Sequence, residues 1–196
     1  MNLLMNRRDF LQKSIIVGAA APSLILLGNE EAQATTFGQN NFWEQPRYIT
    51  MYRQDDRAKQ KFRILYYYNG QYNMDGYKLL RFHFRDRKSN NQVVSMDVVL
   101  FYLIFAIQQW SKNRGSYEPV YQLNSGFRND KRNQGIEGAA HNSLHIFGKA
   151  TDGRFQGISL QDTIAMAKYF NIGGVGGYST FVHLDSGNPR NWGSAR

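Results

Sequence analysis

Apolar positions are densest in residues 97–112, where they occupy nearly every side of a helical wheel. They are Val98, Leu100, Phe101, Ile104, Phe105 and Ile107. A helix that is apolar nearly all round is buried within its domain. Asp97 stands directly before this run, where a carboxylate accepts hydrogen bonds from the first amide groups of a helix. The pattern therefore predicts a buried helix that Asp97 caps.

Two earlier segments, 47–53 and 61–68, are rich in Tyr, Ile, Phe and Thr and are separated by a polar run. Such a pair of segments predicts a β-hairpin. Asn69 and Gly70 follow it with a turn signal. Residues 75–85 fit neither the helical nor the strand period.

The second half of the chain mixes short apolar runs with one more helical pattern. Residues 119–123 predict a short strand, and the charged, glycine-rich residues 129–140 predict a loop. Ser159 is placed to cap a helix over residues 160–170, and the segment 171–174 ends that helix.

Alternating apolar positions from 175 to 184 predict two closing strands around a glycine-rich turn, and the tail is expected to pack through Trp192 alone. Short strands mixed with two helices predict an α+β fold with a small antiparallel sheet and flanking helices.

The amino terminus is typical of an export signal. The motif RRDFL at 7–11 precedes an uncharged, mostly apolar run at 14–28, and Ala-Gln-Ala at 32–34 forms a cleavage site, so cleavage is expected before Thr35. The paired arginines are typical of a signal for the twin-arginine export machinery. The apolar run is shorter than the roughly 20 residues that span a bilayer, so no stable membrane anchor is expected after cleavage.

These features divide the chain into a signal at 1–34, a flexible lead at 35–46 and one domain at 47–196. The charges of the signal cancel, so the net charge of +9 belongs to the exported part. Outside the cytoplasm, in the periplasm or beyond, the anionic neighbour of a basic protein is the cell wall. The Lys and Arg residues of this protein are scattered along the sequence, and no nucleic-acid-binding signature is present, so nucleic acid is not an expected partner. Because the chain has no cysteine, any metal must be held by His, Asp or Glu.

His145 and Asp152 stand seven residues apart across Gly148. Two donors on one tetrahedral zinc lie roughly 3 to 3.5 Å apart, because each bond to the metal is about 2.0 to 2.2 Å long. Neither a helix nor a strand brings residues at this spacing so close. If both residues bind one ion, the chain must turn between them, and Gly148 supplies the backbone freedom for that turn. A solvated pair or a core histidine is the ordinary alternative.

The full pattern from 143 to 152, S-x-H-x-x-G-x-A-x-D, resembles the first metal motif of the zinc D-Ala-D-Ala metallopeptidase superfamily. The motifs SGFR at 125–128 and FVHLD at 181–185 follow the order of that superfamily. The resemblance covers roughly residues 63–192 and is closest to its exported murein endopeptidases. It implies a hedgehog-like or D-Ala-D-Ala-peptidase-like fold, with a short helix near residue 75 capped by Asp75.

The resemblance also implies roles for individual residues. His145, Asp152 and His183 would bind Zn²⁺ and leave a fourth position open for water, as catalytic zinc sites do. Arg128 would grip a carboxylate or carbonyl of the substrate, or else form a structural salt bridge, and Ser125 would hold the loop that aims it. Tyr178 would donate a hydrogen bond to an oxyanion, or else belong to the core.

The general base is where the sequence departs from the family's best-known members. They place an acidic residue three positions before the last histidine, and here that position is Thr180. Asp185, which shares a strand face with His183 if this run is extended, is the nearest carboxylate. Asp185 is therefore the candidate general base, and support for the His183 ring is its alternative role.

Three hypotheses of function follow from the sequence. The first is a zinc peptidase that hydrolyses stem peptides or cross-links of peptidoglycan (murein), as an endopeptidase or a carboxypeptidase. The second is a cell-wall-binding module whose zinc is idle, and the substitution at Thr180 motivates it. The third is an exported structural protein without a metal.

Overall fold

The computed structural model describes residues 45–113, 119–138 and 140–196. The predicted signal at 1–34 and nearly all of the predicted lead at 35–46 lie outside these residues.

Eight strands form one sheet in the order β3-β2-β1-β4-β5-β7-β6-β8. They are β1 (Arg47–Arg53), β2 (Phe62–Tyr68), β3 (Gln71–Tyr72), β4 (Tyr121–Ser125), β5 (Ala150–Phe155), β6 (Gly174–Gly177), β7 (Val182–Asp185) and β8 (Arg190–Gly193). The predicted hairpin is the antiparallel pair β1–β2. The prediction of a small antiparallel sheet is wrong in two respects, because the sheet is large and the pairs β1–β4 and β6–β8 are parallel.

Four helices accompany the sheet in the described residues: α1 (Met74–His83), α2 (Val98–Asn113), α3 (Asp130–Gln134) and α4 (Leu160–Phe170). The α+β class is therefore confirmed. As predicted, α2 is buried along most of its length and packs on β1 and on α4. Its first turn is capped as predicted, since the amide of Val99 donates to the carboxylate of Asp97 at 3.0 Å.

The ends of the other helices confirm some predictions and correct others. Ser159 caps α4, and Asn171 ends it in the left-handed conformation at φ 52°. The cap of α1 is Asn73 rather than Asp75, because Asn73 is the last extended residue and its side chain accepts from the amides of Asp75 and Gly76. The predicted loop 129–140 contains α3, which Asn129 caps.

The middle of the sheet aligns three of the candidate site residues. Asp152 on β5 lies opposite His183 on β7, and Ser125 at the end of β4 lies opposite Asp152 from the other side. Residues directly opposite on neighbouring strands place their side chains on the same face of the sheet. Among the described residues, no helix is both long and apolar enough to cross a membrane.

Candidate metal centre

Strand register brings the first two candidate ligands together. Asp152 and His183 are Cα partners in the antiparallel pair β5–β7, and Gly176 of β6 is the partner of His183 on its other side. A Cβ at position 176 would lie 2.4 Å from the ring of Trp192. The glycine therefore makes room for an indole ring, whose centroid is 5.0 Å from that of His183.

His145 reaches the same point from the turn that precedes β5. Gly148 has a φ of +66°, a conformation that favours glycine, and a Cβ there would lie 2.3 Å from the carbonyl oxygen of Ser95. The chain reverses there, with the amide of Lys149 donating to the carbonyl of Leu144 at 2.9 Å. The tight turn inferred between His145 and Asp152 is therefore present.

Three donor atoms converge on one point. His145 Nε2 lies 3.3 Å from Asp152 Oδ1 and 3.3 Å from His183 Nδ1, and His183 Nδ1 lies 2.9 Å from Asp152 Oδ1. These separations are close to the roughly 3 to 3.5 Å between donors on one tetrahedral zinc. Among the described residues, these three are the one group of His, Asp and Glu side chains arranged to hold a metal ion.

The outward-facing nitrogens of both imidazoles have partners that set their protonation. His145 Nδ1 is 2.6 Å from the carbonyl oxygen of Gly126, and a carbonyl only accepts. His183 Nε2 is 3.1 Å from Oδ2 of Asp185, a carboxylate. With a proton on each outward nitrogen, each inward nitrogen presents a lone pair to the centre. The donor set therefore fits a divalent metal.

Asp152 is held by both of its oxygens. Oδ1 faces the two imidazoles, and Oδ2 pairs with the guanidinium of Arg128. Nε of Arg128 donates to Ser125 Oγ at 2.9 Å, which orients the guanidinium. Burial alone would raise the pKa of Asp152, but His145, His183 and Arg128 hold it well below its usual range, so the carboxylate is ionised. Ser125, predicted to hold the loop that aims Arg128, thus contacts the Arg128 side chain itself, and Arg128 forms a salt bridge with the candidate ligand Asp152.

Asp185 is completely buried behind His183. Its Oδ1 accepts from the amides of Gly174 and Gly187 at 2.8 and 2.9 Å, and Arg190 pairs with both oxygens. Burial would raise the pKa of Asp185, but the contacts with His183, Gly174 and Arg190 lower it overall. Because Asp185 contacts the ring nitrogen that faces away from the other two donors, this arrangement favours support of the His183 ring over the general-base role.

The two imidazoles differ in their electrostatics. Burial lowers the pKa of His145, and the charges of Asp152 only partly offset this effect. Burial also acts to lower the pKa of His183, but hydrogen bonds to Asp152 and Asp185 raise it overall. The carboxylates on both sides of His183 therefore make it the more basic ring of the pair.

Tyr178 lies at the edge of the centre and is 45% exposed, so it does not belong to the core. Its ring stacks on Phe181 with centroids 4.5 Å apart, and its hydroxyl accepts from Trp192 Nε1 at 3.1 Å. Because the indole N–H is the donor in this hydrogen bond, the hydroxyl hydrogen of Tyr178 remains available to donate to another acceptor. His141, four residues before His145, is exposed, contacts Asn142 and is not among the three converging donors.

Sequence reasoning missed two contributions from the tail. Arg190 neutralises Asp185, and Trp192 contacts both His183 and Tyr178, so the expectation that the tail packs through Trp192 alone is wrong. The tail also adds strand β8 parallel to β6. The signal for Arg190 was a single cation five residues after a buried carboxylate, which is too weak to identify a pair.

Comparison with known proteins connects this geometry to a family. The family model described as peptidoglycan L,D-endopeptidase MepK matches residues 42–192. A probable peptidoglycan L,D-endopeptidase MepK of Haemophilus influenzae is 37% identical over 121 residues, which are 59% of this chain and 63% of that protein. Peptidoglycan L,D-endopeptidase MepK of Escherichia coli K12 is 36% identical over 119 residues, which are 58% of this chain and 63% of that protein. The match thus spans less than two thirds of either relative, and no solved structure matches the chain.

Proposed function

The chain belongs to the family described as peptidoglycan L,D-endopeptidase MepK, and on this premise we propose that it is a zinc-dependent endopeptidase that hydrolyses peptide bonds in murein stem peptides or cross-links. The observation that carries the proposal is the convergence of His145, Asp152 and His183, with their outer atoms held by partners. Three protein ligands with one open position distinguish catalytic zinc sites from structural ones. The relatives are named L,D-endopeptidases, which favours an endopeptidase over a carboxypeptidase and favours an L,D bond as the bond cleaved.

The donor set suits zinc in particular. Zinc prefers imidazole and carboxylate ligands in tetrahedral geometry, and this group offers two nitrogens and one oxygen at matching separations. A zinc ion in such a site supplies an activated water at neutral pH and polarises a carbonyl. The hedgehog-like fold implied by the resemblance stays a prediction.

The surrounding residues of the chain have separate roles in this proposal. Gly126 and Asp185 fix the tautomers of the two imidazoles, and Arg128 holds the outer oxygen of Asp152. Asp185 is a positioning residue, which leaves the general base unassigned. Tyr178 donates its hydroxyl hydrogen to an oxygen of the substrate, because Trp192 already supplies the hydrogen that Tyr178 accepts. Arg128 remains a candidate for binding substrate through the donors that do not face Asp152.

A digest of isolated murein tests the proposal. The purified protein is analysed for metal, and its products are identified by mass spectrometry in three states: as purified, after chelation, and after zinc is restored. We expect cleavage that stops on chelation and returns with zinc. If zinc is fully bound and no murein fragment is cleaved, the protein is a cell-wall-binding module rather than an enzyme. If no divalent metal binds even after reconstitution, both metal-dependent functions fail.

Export is a separate part of the proposal. The pair Arg7-Arg8 and the cleavage site at 32–34 support passage through the twin-arginine machinery to the compartment that contains murein. Changing both arginines to lysine is expected to leave uncleaved precursor inside the cell. Unaltered processing of the Lys-Lys variant would show that another route exports the protein.

A further inference from the structure

A cavity of about 320 Å³ lies beside the metal centre. Its charged lining consists of Arg53, Asp55, Arg85, Arg87, Lys88 and Arg132. The same cavity is lined by the backbone segment 125–127, which contributes to the metal centre through Ser125 and Gly126. The cavity and the metal centre thus share a wall.

The cations of this cavity outnumber the carboxylates that pair with them. Asp55 pairs with Arg53 at 2.8 Å and with Arg87 at 3.4 Å, and Asp86 pairs with Arg132 at 2.6 Å. In the part of the chain that the structure describes, Arg85 and Lys88 form no ion pair. The lining therefore has an uncompensated positive charge.

Arg85 shows how closely these cations are placed. Its Nε donates to Asn91 Oδ1 at 3.0 Å and its Nη1 to the carbonyl of Phe82 at 2.8 Å, so neutral acceptors hold it in place. Burial lowers the pKa of Arg85, and the charges of Arg53 and Arg87 lower it further. Arg53 and Arg87 share the single carboxylate of Asp55, and Arg85 donates to neutral acceptors, so this group of cations is a poor arrangement for stability alone. It is a suitable arrangement for an anion, because guanidinium groups bind carboxylates through paired hydrogen bonds.

We propose that this cavity binds a free carboxylate of the murein peptide whose backbone lies at the metal centre, and that Arg85 and Lys88 are specificity-determining residues for that group. The inference rests on the proposed function for the identity of the peptide. The shared segment 125–127 supports it, because Ser125 and Gly126 line the cavity and also contact Arg128 and His145 of the metal centre, so the two sites are adjacent. The volume of about 320 Å³ lies at the lower end of the range for small-ligand sites, so it accommodates one acidic side chain or chain end.

Paired substrates and paired variants test this assignment. Zinc-loaded protein is assayed on cross-linked muropeptides whose free carboxylates are intact or amidated one at a time. Wild type is compared with the double variant Arg85→Gln, Lys88→Gln and with a control, Arg57→Gln, Lys112→Gln, which removes the same charges from exposed positions outside the cavity. For one carboxylate, we expect amidation to lower kcat/KM of wild type and control roughly 10-fold, and to have no effect on the cavity variant. Equal sensitivity to amidation in all three proteins would overturn the inference.

A binding measurement separates failure of the inference from failure of the proposed function. Titration of a murein tripeptide, its amidated form and inorganic phosphate into the zinc-loaded protein needs no hydrolysis. Tripeptide binding that is weakened about 10-fold by amidation and by the cavity variant supports the inference even if no bond is cleaved. Binding of phosphate in preference to the tripeptide would overturn it, since the cavity would then serve phosphate-bearing wall polymers. Cleavage without any effect of the cavity variant would overturn the inference and leave the proposed function intact.

Discussion

The metal centre and the basic cavity share the segment 125–127 but treat charge in opposite ways. In the metal centre, each buried carboxylate has a cationic partner: Arg128 pairs with Asp152, and Arg190 pairs with Asp185. In the cavity, Arg85 and Lys88 lack a carboxylate partner among the described residues. A complete set of partners holds donor atoms at fixed separations, which a metal ion requires. An incomplete set leaves charge that a ligand can neutralise, which is why we propose an anion site beside the candidate metal centre.

Removal of a ligand is expected to have the largest effect. His183→Ala takes away one of three donors and the partner of Asp185, so we expect the variant to lose its metal and its hydrolytic activity together. Metal content of the purified variant and its activity on murein measure both losses. A variant that keeps full zinc occupancy would show that the ion is held elsewhere.

Asp185→Asn distinguishes two roles for Asp185, which are to support the ring of His183 and to act as the general base. The amide still accepts from His183 Nε2, but its charge is lost and Arg190 is left without its partner. As a positioning residue, Asp185 is expected to change metal affinity by about 10- to 100-fold, with activity largely restored by excess zinc. Competition with a chromogenic chelator measures the affinity. Unchanged affinity with turnover lower by roughly 10² to 10⁴-fold at saturating zinc would instead identify Asp185 as the general base.

Gly148→Ala tests the turn that brings His145 to Asp152. The added Cβ would lie 2.3 Å from the carbonyl oxygen of Ser95, and the alanine would have to adopt a φ of +66°. We expect the free energy of unfolding to fall by about 2 kcal/mol or more, as measured by urea denaturation. Gly157→Ala is a matched control, because Gly157 has a φ of +78° with nothing within 4 Å of the added Cβ. An equal loss of unfolding free energy in both variants would show that the close contact with Ser95 does not destabilise the protein.

His83 tests the basic side of the comparison through the pH dependence of stability. Burial and the charges of Arg85 and Arg53 lower the pKa of His83 from 6.5 to about 4. The unfolded chain therefore binds more protons between these values, and stability falls as the pH drops from about 6.5 towards 4. We expect His83→Phe, which keeps a ring against Phe62, to lose less stability than wild type over this interval. Identical pH dependence in the two proteins would show that His83 is not held neutral.

The sequence by itself determined the features that depend on local pattern. The apolar run after Asp97 predicted the buried helix α2, the β-rich segments predicted the hairpin β1–β2, and Ser159 and Asn171 marked the ends of α4. These signals work because a cap, a turn or an amphipathic period acts within a few residues. The motifs around His145 and His183 likewise identified candidate donors before any geometry was known.

Only the tertiary structure decided what depends on residues far apart in the chain. The parallel pairs β1–β4 and β6–β8 join strands whose pairing cannot be inferred from the periodicity of either segment. The tail strand β8 brings Arg190 to Asp185. That contact turns the candidate general base into a buried anion with both oxygens occupied. The basic cavity arises in the same way, because residues near 53, 87 and 132 meet only when the sheet is formed. Packing decides which charged groups lie close together, and the linear pattern of residue types does not specify packing.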